Sequence, residues 1–367
     1  MTDLRAPSAQ PGSIGPGLPR RIPAPRGPVT EQLLAHLRRP VHALPALPLP
    51  DDDPLTDEDL VLALYLCYEL HYLGLHEVHD AWEWEPSLLR ERRRLETGLE
   101  RSLVQLVGHL PVGVSRDRAV EELQHLASAD GPSLSGFMAE LGTLTHMREF
   151  AVHRSAYQLK EADPHTWAIP RLTGRPKAAL VHIQQGEYGE GRPADVHANL
   201  FADVMAALDL DPTYGAYIDR IPGITLSTSN LVSLFGLHRR WRGALAGHLA
   251  LFEMCSVGPM GRYRTALERM GLGRQATRFY EEHVIADERH QLVALHDLVA
   301  GLIDQEPFLG GEVVFGARAL AAVEGRFAGH LLDSWTAGRS SLLPKRTVSS
   351  PSVPGLRRED PSRRRPA

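Results

Sequence analysis

A chain of 367 residues is long enough for about two domains and a large hydrophobic core. Hydrophobic residues make up 43% of it but aromatics only 6%, and no stretch alternates like a strand, so the composition points to an all-α protein. The net charge of −5 comes from interspersed acids and bases and builds no basic face for nucleic acid. No apolar run reaches the length of a membrane span, and the N-terminus lacks a signal-peptide core. Cys67 and Cys255 are too few for a disulfide framework, which fits a cytoplasmic protein.

Residues 1–28 hold seven prolines and almost nothing to bury, and are expected to be a disordered tail. Thr30 is expected to cap a short helix through Arg38, which Pro40 stops. A second proline-rich connector runs from Pro40 to Pro54. Thr56 with Asp59 resembles a capping box for a helix over Asp57–Leu73, where Leu60, Leu64, Cys67 and His71 repeat on one face. Glu69 and His71, two residues apart, point to different sides of that helix and read as a packing edge rather than ligands. Helices over Ser87–Leu110, Ser115–Ala127 and Ser133–Leu141 complete an N-terminal helical region, 29–141, that offers a surface for association.

A further helix spans Thr143–Leu159, with Glu161, Asp163 and His165 clustered at its end, where solvated capping is the ordinary role. Arg175–Glu187 is the next. Gly189, Gly191 and Pro193 then break the chain between Glu187 and His197. On one straight helix these two would sit about 80° apart, but the break removes that constraint, and Glu190 competes with Glu187 as a ligand. His197–Leu208 resumes the helical pattern. Residues 225–255 read as one long apolar helix carrying Glu253, a carboxylate that must be protonated, ion-paired or metal-bound in such a setting. Pro259 is expected to interrupt, with Tyr263–Met270 resuming.

The helix over Gln275–Asp304 places His283, Asp287 and His290 within about 60° on one face. Two imidazoles and a carboxylate so placed can converge on iron(II) that must also bind oxygen. A solvated face explains that spacing equally well, since Glu281, Glu282, Glu288 and Arg289 share the helix. A glycine loop at 310–311, a helix over 314–335 and a disordered basic tail at 337–367 close the chain.

Several of these stretches resemble the haem-oxygenase-like dimetal oxidases and oxygenases, described as iron-containing redox enzymes. They are His153-Arg-Ser-Ala-Tyr-Gln-Leu-Lys-Glu161, Glu187-Tyr-Gly-Glu-Gly-Arg-Pro193 with His197, Leu234-Phe-Gly-Leu-His-Arg-Arg-Trp241, Gly247-His-Leu-Ala-Leu-Phe-Glu253, and His283 with Asp287 and His290. The likeness runs from roughly Thr143 to Leu302 and is weaker over Thr56–Leu89. One departure is Glu190, where the family leads us to expect a small residue.

The resemblance implies a haem-oxygenase-like helical bundle with additional N-terminal helices, its diiron core spanning 142–336. It implies Glu161, Glu187, His197, Glu253, His283, Asp287 and His290 as metal ligands, two Fe(II) per chain, and O2 as co-substrate. The activity it implies is N-oxygenation, hydroxylation or oxidative C–C or C–H cleavage of an amino-acid-like or fatty-acid-like compound. The partners are then a small-molecule substrate, an external electron donor and a second copy in a homodimer, with neither nucleic acid nor membrane. Arg154, Arg239, Arg240 and His238 are candidates for holding a substrate carboxylate, although helix packing and surface charge suit each of them better. Two other classes stay open: a metal-free protein of the same fold (a cofactorless oxidase or a thiamine-degrading hydrolase) and a helical binding or scaffold protein.

Overall fold

The computed structural model describes residues 21–50, 52–129, 131 and 133–345, and among these there are helices and turns but no β-ladder. The principal helices are α1 (Pro28–Leu37), α2 (Glu58–Glu69), α3 (Pro86–Val107), α4 (Arg116–Ala127), α5 (Leu134–Glu140) and α6 (Leu144–Gln158). They continue with α7 (Gly174–Glu187), α8 (His197–Ala207), α9 (Gly223–Leu237), α10 (Arg242–Met254), α11 (Val257–Arg269), α12 (Arg274–Leu292) and α13 (Gly310–Thr336). None of the described helices is long and apolar enough to cross a membrane.

Starts are set by local chemistry. Asp57 accepts from the backbone of Asp59 and Leu60 to cap α2, and Ser115, Ser133 and Thr143 cap α4, α5 and α6. Thr30 is not the N-cap of α1, which begins two residues earlier at Pro28, although its hydroxyl accepts from the Gly27 backbone N–H at 3.3 Å. Instead the backbone of Val29 and Thr30 donates to the Asp59 carboxylate, tying α1 to α2.

Two apolar clusters form the interior. The larger joins α1–α4 to α9, α10, the end of the α12 rod and α13; the smaller joins α5, α6, α8, α11 and the start of α12 to the end of α13. Helices α10 and α13 approach unusually closely, because a Cβ at Gly247 would lie 1.9 Å from the Val313 carbonyl oxygen and one at Gly316 would lie 2.0 Å from that of Ala244. After α12 the rod continues as a π-helix over Val293–Ala300, then as α-helix over Gly301–Gln305. Val293–Ala300 packs on α7 and α10, so it helps fix the helix that brings in Glu187.

Several boundaries differ from the sequence reading. The long helix over 225–255 is two helices, broken where His238 is extended and its Nε2 lies 2.8 Å from Oε1 of the buried Glu96. Pro259 sits in the first turn of α11 rather than interrupting a helix, since no intrahelical N–H bond is needed there. Gly310 and Gly311 open α13 instead of forming a loop; a Cβ at Gly311 would lie 1.9 Å from the Pro111 carbonyl oxygen.

The tails are also shorter than expected. Arg26 donates to the carbonyls of Ile218 and Ile221 at 2.7 and 2.6 Å, which anchors the chain before α1. After α13, the backbone N–H and Oγ of Ser341 donate to Glu149 at 2.9 and 2.7 Å, and Oγ lies 3.0 Å from His153 Nε2. These polar anchors hold segments whose composition offers little to bury. Residues 1–20 and 346–367 of the two expected tails lie outside the described residues.

Candidate metal centre

The seven sequence candidates converge from five segments: the turn after α6 (Glu161), the ends of α7 and α10 (Glu187, Glu253), the start of α8 (His197) and the middle of α12 (His283, Asp287, His290). Each is at most 7% exposed, so the solvated-face reading of α12 does not hold for its three ligand types. Glu161, Glu187, His197 and His283 offer ligand atoms that all lie within 4.8 Å of one another. Glu187, Glu253, Asp287 and His290 form a second such group, and Glu187 is common to both.

His197 Nδ1 is 2.7 Å from Glu187 Oε2, and His283 Nε2 is 3.5 Å from Glu161 Oε2. His290 Nδ1 is 3.8 Å from Glu187 Oε1, 3.7 Å from Glu253 Oε2 and 3.6 Å from Asp287 Oδ1.

Five buried atoms in this cluster have no hydrogen-bond partner: Glu161 Oε2, His197 Nδ1, His283 Nε2, Asp287 Oδ1 and His290 Nδ1. Leaving each unsatisfied costs about 1–3 kcal/mol, and a cation in each of the two groups would satisfy them. Neighbours also prepare the donors. His283 Nδ1 donates to the Phe279 carbonyl at 2.8 Å, which makes Nε2 the nitrogen that can ligate once its proton is lost. Ser256 Oγ donates to Asp287 Oδ2 at 2.5 Å, leaving Oδ1. The residues therefore fit a metal.

Ionisation follows from crowding. Burial raises Glu253 well above the usual carboxylate range, reinforced by Asp287 and Glu187. Burial would raise Glu187 too, but the adjoining His197, with His283 and His290, brings it down to about 2. Burial works against charge on His283 and His290, yet the carboxylates win; His283 is held well above its ordinary value and His290 at about 10. Protons on histidine thus balance the acids when no cation does.

The glycine-rich break resolves the choice between acids. Glu190 is exposed and its carboxylate accepts from the Gln185 side chain, so it turns away while Glu187 turns in. Gly189 has φ +64, and a Cβ there would lie 2.5 Å from both Asp195 C and Val196 N, so the turn requires glycine. Asp195 then pairs with Arg192 and with Arg278 of α12, fastening the loop to the ligand helix.

A second special turn follows Glu161. Ala162 has φ 76 and ψ −33, a conformation that costs a non-glycine residue on the order of 1–3 kcal/mol. The Gln184 amide donates to the Ala162 carbonyl at 2.8 Å, and Tyr188 Oη donates to Asp163 Oδ1 at 2.8 Å.

A cavity of about 20 Å³ adjoins the carboxylates, lined by Tyr157, His165, Gln184, Leu249 and Phe252 among others. That is room for about one water molecule. His165, expected in a solvated cap, is buried with its Nε2 3.2 Å from His248 Nδ1. Burial lowers His165 to about 4 and takes His248 well below its ordinary value, so both imidazoles are neutral. Burial, with Glu161, Glu187 and Glu253 nearby, keeps Tyr157 protonated.

The sequence reading missed Gln184, Tyr188 and Ser256. Gln184 lies one helical turn before Glu187 and Ser256 one turn after Glu253, spacings that put a polar side chain beside each ligand type. Two of the arginine candidates are engaged by other acids: Arg154 forks onto Glu324 at 3.1 and 2.8 Å, and Arg240 pairs with Glu100.

An all-helical bundle whose buried carboxylates and imidazoles form two adjoining groups of possible ligands has the construction of a metal-binding protein. Residues 148–325, a little under half of the chain, match the family model described as iron-containing redox enzyme. All seven candidates fall inside the match. No curated protein matches the chain.

Proposed function

We propose that the protein is a non-haem diiron oxidoreductase that uses O2 to oxidise a small organic substrate. The observation that carries this reading is the pair of ligand groups sharing Glu187. Glu161, Glu187, His197 and His283 would hold one Fe(II), and Glu187, Glu253, Asp287 and His290 the other. Four carboxylates bring four negative charges, which two divalent cations neutralise with every histidine neutral; burying such a set without that balance is costly.

Bound iron would supply the electrons that reduce O2. The chain's own groups do the rest. Glu187 keeps the two ligand groups adjacent. Ser256 and the Phe279 carbonyl fix the ligating faces of Asp287 and His283. Leu249 and Phe252 give the cavity an apolar wall against water, and the neutral His165 and the Tyr157 phenol line it with polar edges. The substrate is an amino-acid-like or fatty-acid-like compound undergoing N-oxygenation, hydroxylation or oxidative cleavage in the cytoplasm, with an external donor re-reducing the iron.

Anaerobic loading should approach two Fe(II) per chain, and admitting O2 should produce a transient visible absorption. Stoichiometric zinc in the isolated protein, with no reaction of the iron-loaded form toward O2, would refute the proposal.

A further inference from the structure

We infer that Gln184 and Tyr188 are positioning residues that hold the strained turn at Ala162 and, through it, aim the Glu161 carboxylate into the metal centre. The functional part of this inference rests on the metal reading above. Ala162 leaves the α-helical region immediately after Glu161, at φ 76 and ψ −33. A non-glycine residue stays in such a conformation only where its surroundings over-determine it.

Some of the surroundings are local, since the Ala162 carbonyl also accepts from the backbone N–H of His165 and Thr166 at 3.0 and 3.1 Å, and the rest come from the segment around Glu187. Gln184 is 3% exposed, and its Nε2 donates to the Ala162 carbonyl at 2.8 Å and to Thr166 Oγ1 at 2.7 Å. Since a carbonyl only accepts, the amide orientation is fixed. Tyr188 Oη donates to Asp163 Oδ1 at 2.8 Å and lies 2.9 Å from Thr166 Oγ1. Gln184 sits in α7 three residues before Glu187, and Tyr188 follows Glu187 directly. The segment carrying the shared ligand therefore also latches the turn carrying Glu161. Two carboxylates, one on a turn and one at a helix end, are thereby set relative to each other before any ion arrives.

The test compares wild type, Gln184→Leu, Tyr188→Phe and the double variant Ala162→Gly/Gln184→Leu, all as the full chain. Hydrogen exchange at residues 160–166 of the metal-free protein reads the latch. Anaerobic Co(II) titration, with the ligand-field spectrum of each bound ion, reads its effect on Glu161. Gln184→Leu should speed exchange in the turn, weaken the ion at Glu161 by about tenfold and alter that ion's spectrum. Adding Ala162→Gly should restore affinity to within about twofold, because glycine adopts positive φ without strain. An unfavourable packing change alone would not be rescued in this way.

Tyr188→Phe should give a smaller shift of the same kind, and decides the matter if Gln184→Leu fails to fold. Unchanged exchange and spectra in the variants, or a loss that Ala162→Gly leaves in place, would overturn the inference. If the wild type takes up no Co(II), the diiron proposal falls separately; exchange in the metal-free protein then decides the latch, and unchanged exchange there overturns it as well.

Discussion

Gly186→Ala should separate the stability of the fold from the integrity of the site. Gly186 lies in α7, and a Cβ there would meet His290 Cε1 at 2.8 Å and Nε2 at 2.9 Å. Ordinary contact begins near 3.4 Å, so the imidazole must retreat by 0.6 Å, the difference between 3.4 and 2.8. Ligand distances tolerate shifts of only about 0.2 Å. His290 Nδ1 is the donor facing Glu253 and Asp287, so that group should lose about 10- to 100-fold in affinity, as when a ligand's supporting contact is removed. Alanine meanwhile favours the helix by up to ~1 kcal/mol over glycine, which offsets the strain of the displaced ring. Thermal unfolding of the metal-free variant should therefore match or exceed wild type while anaerobic Fe(II) titration shows one ion weakened. Two ions bound with wild-type affinity would refute the reasoning, because the ring would then have no fixed place in the site.

Glu187 belongs to both ligand groups and His197 to one. Glu187→Ala should accordingly lose both ions, whereas His197→Ala should keep about one; equal losses by metal analysis would contradict the shared-carboxylate arrangement. Acid should destabilise the fold through His153, which burial holds neutral down to about pH 3 while the unfolded chain titrates near 6.5. Between these values the unfolded state binds the extra proton, so stability falls as pH falls, by up to about 1.4 kcal/mol per unit. His153→Asn should flatten the urea-derived stability slope between pH 6.5 and 5, and an unchanged slope would refute this assignment.

The ligand types were legible in the sequence because α12 is uninterrupted around them: spacings of four and three fix a face wherever the helix continues. The helix starts at Ser115, Ser133 and Thr143 were legible for a similar reason, since each hydroxyl and the N–H group it satisfies are neighbours in the chain. What could not be read depended on partners far away. The helix over 225–255 breaks after Leu237, where Arg171 takes the Gly236 and Leu237 carbonyls and Glu96 takes the His238 imidazole, partners far away in the chain. Gly310 and Gly311 look like a loop until the carbonyls of Val114 and Pro111 occupy the space their side chains would need. Likewise Glu187 and Glu190 are chemically equal in the sequence; only the positive φ at Gly189, Glu190 and Gly191 turns one inward and the other outward.

The π-helical run at Val293–Ala300 bears on how the lineage of this chain can change length. It begins three residues after His290, and its wider turns take up backbone that a regular helix would advance by about 100° per residue. Losing one residue within 293–300 can be absorbed by reverting to ordinary α geometry, with Leu298, Val299 and Leu302 still reaching the same interior. Losing one between His283 and His290 cannot, since it would swing one imidazole out of the centre. Insertions and deletions in descendants of this gene should therefore collect just beyond the last histidine, where a change of length can be taken up without moving the candidate ligands.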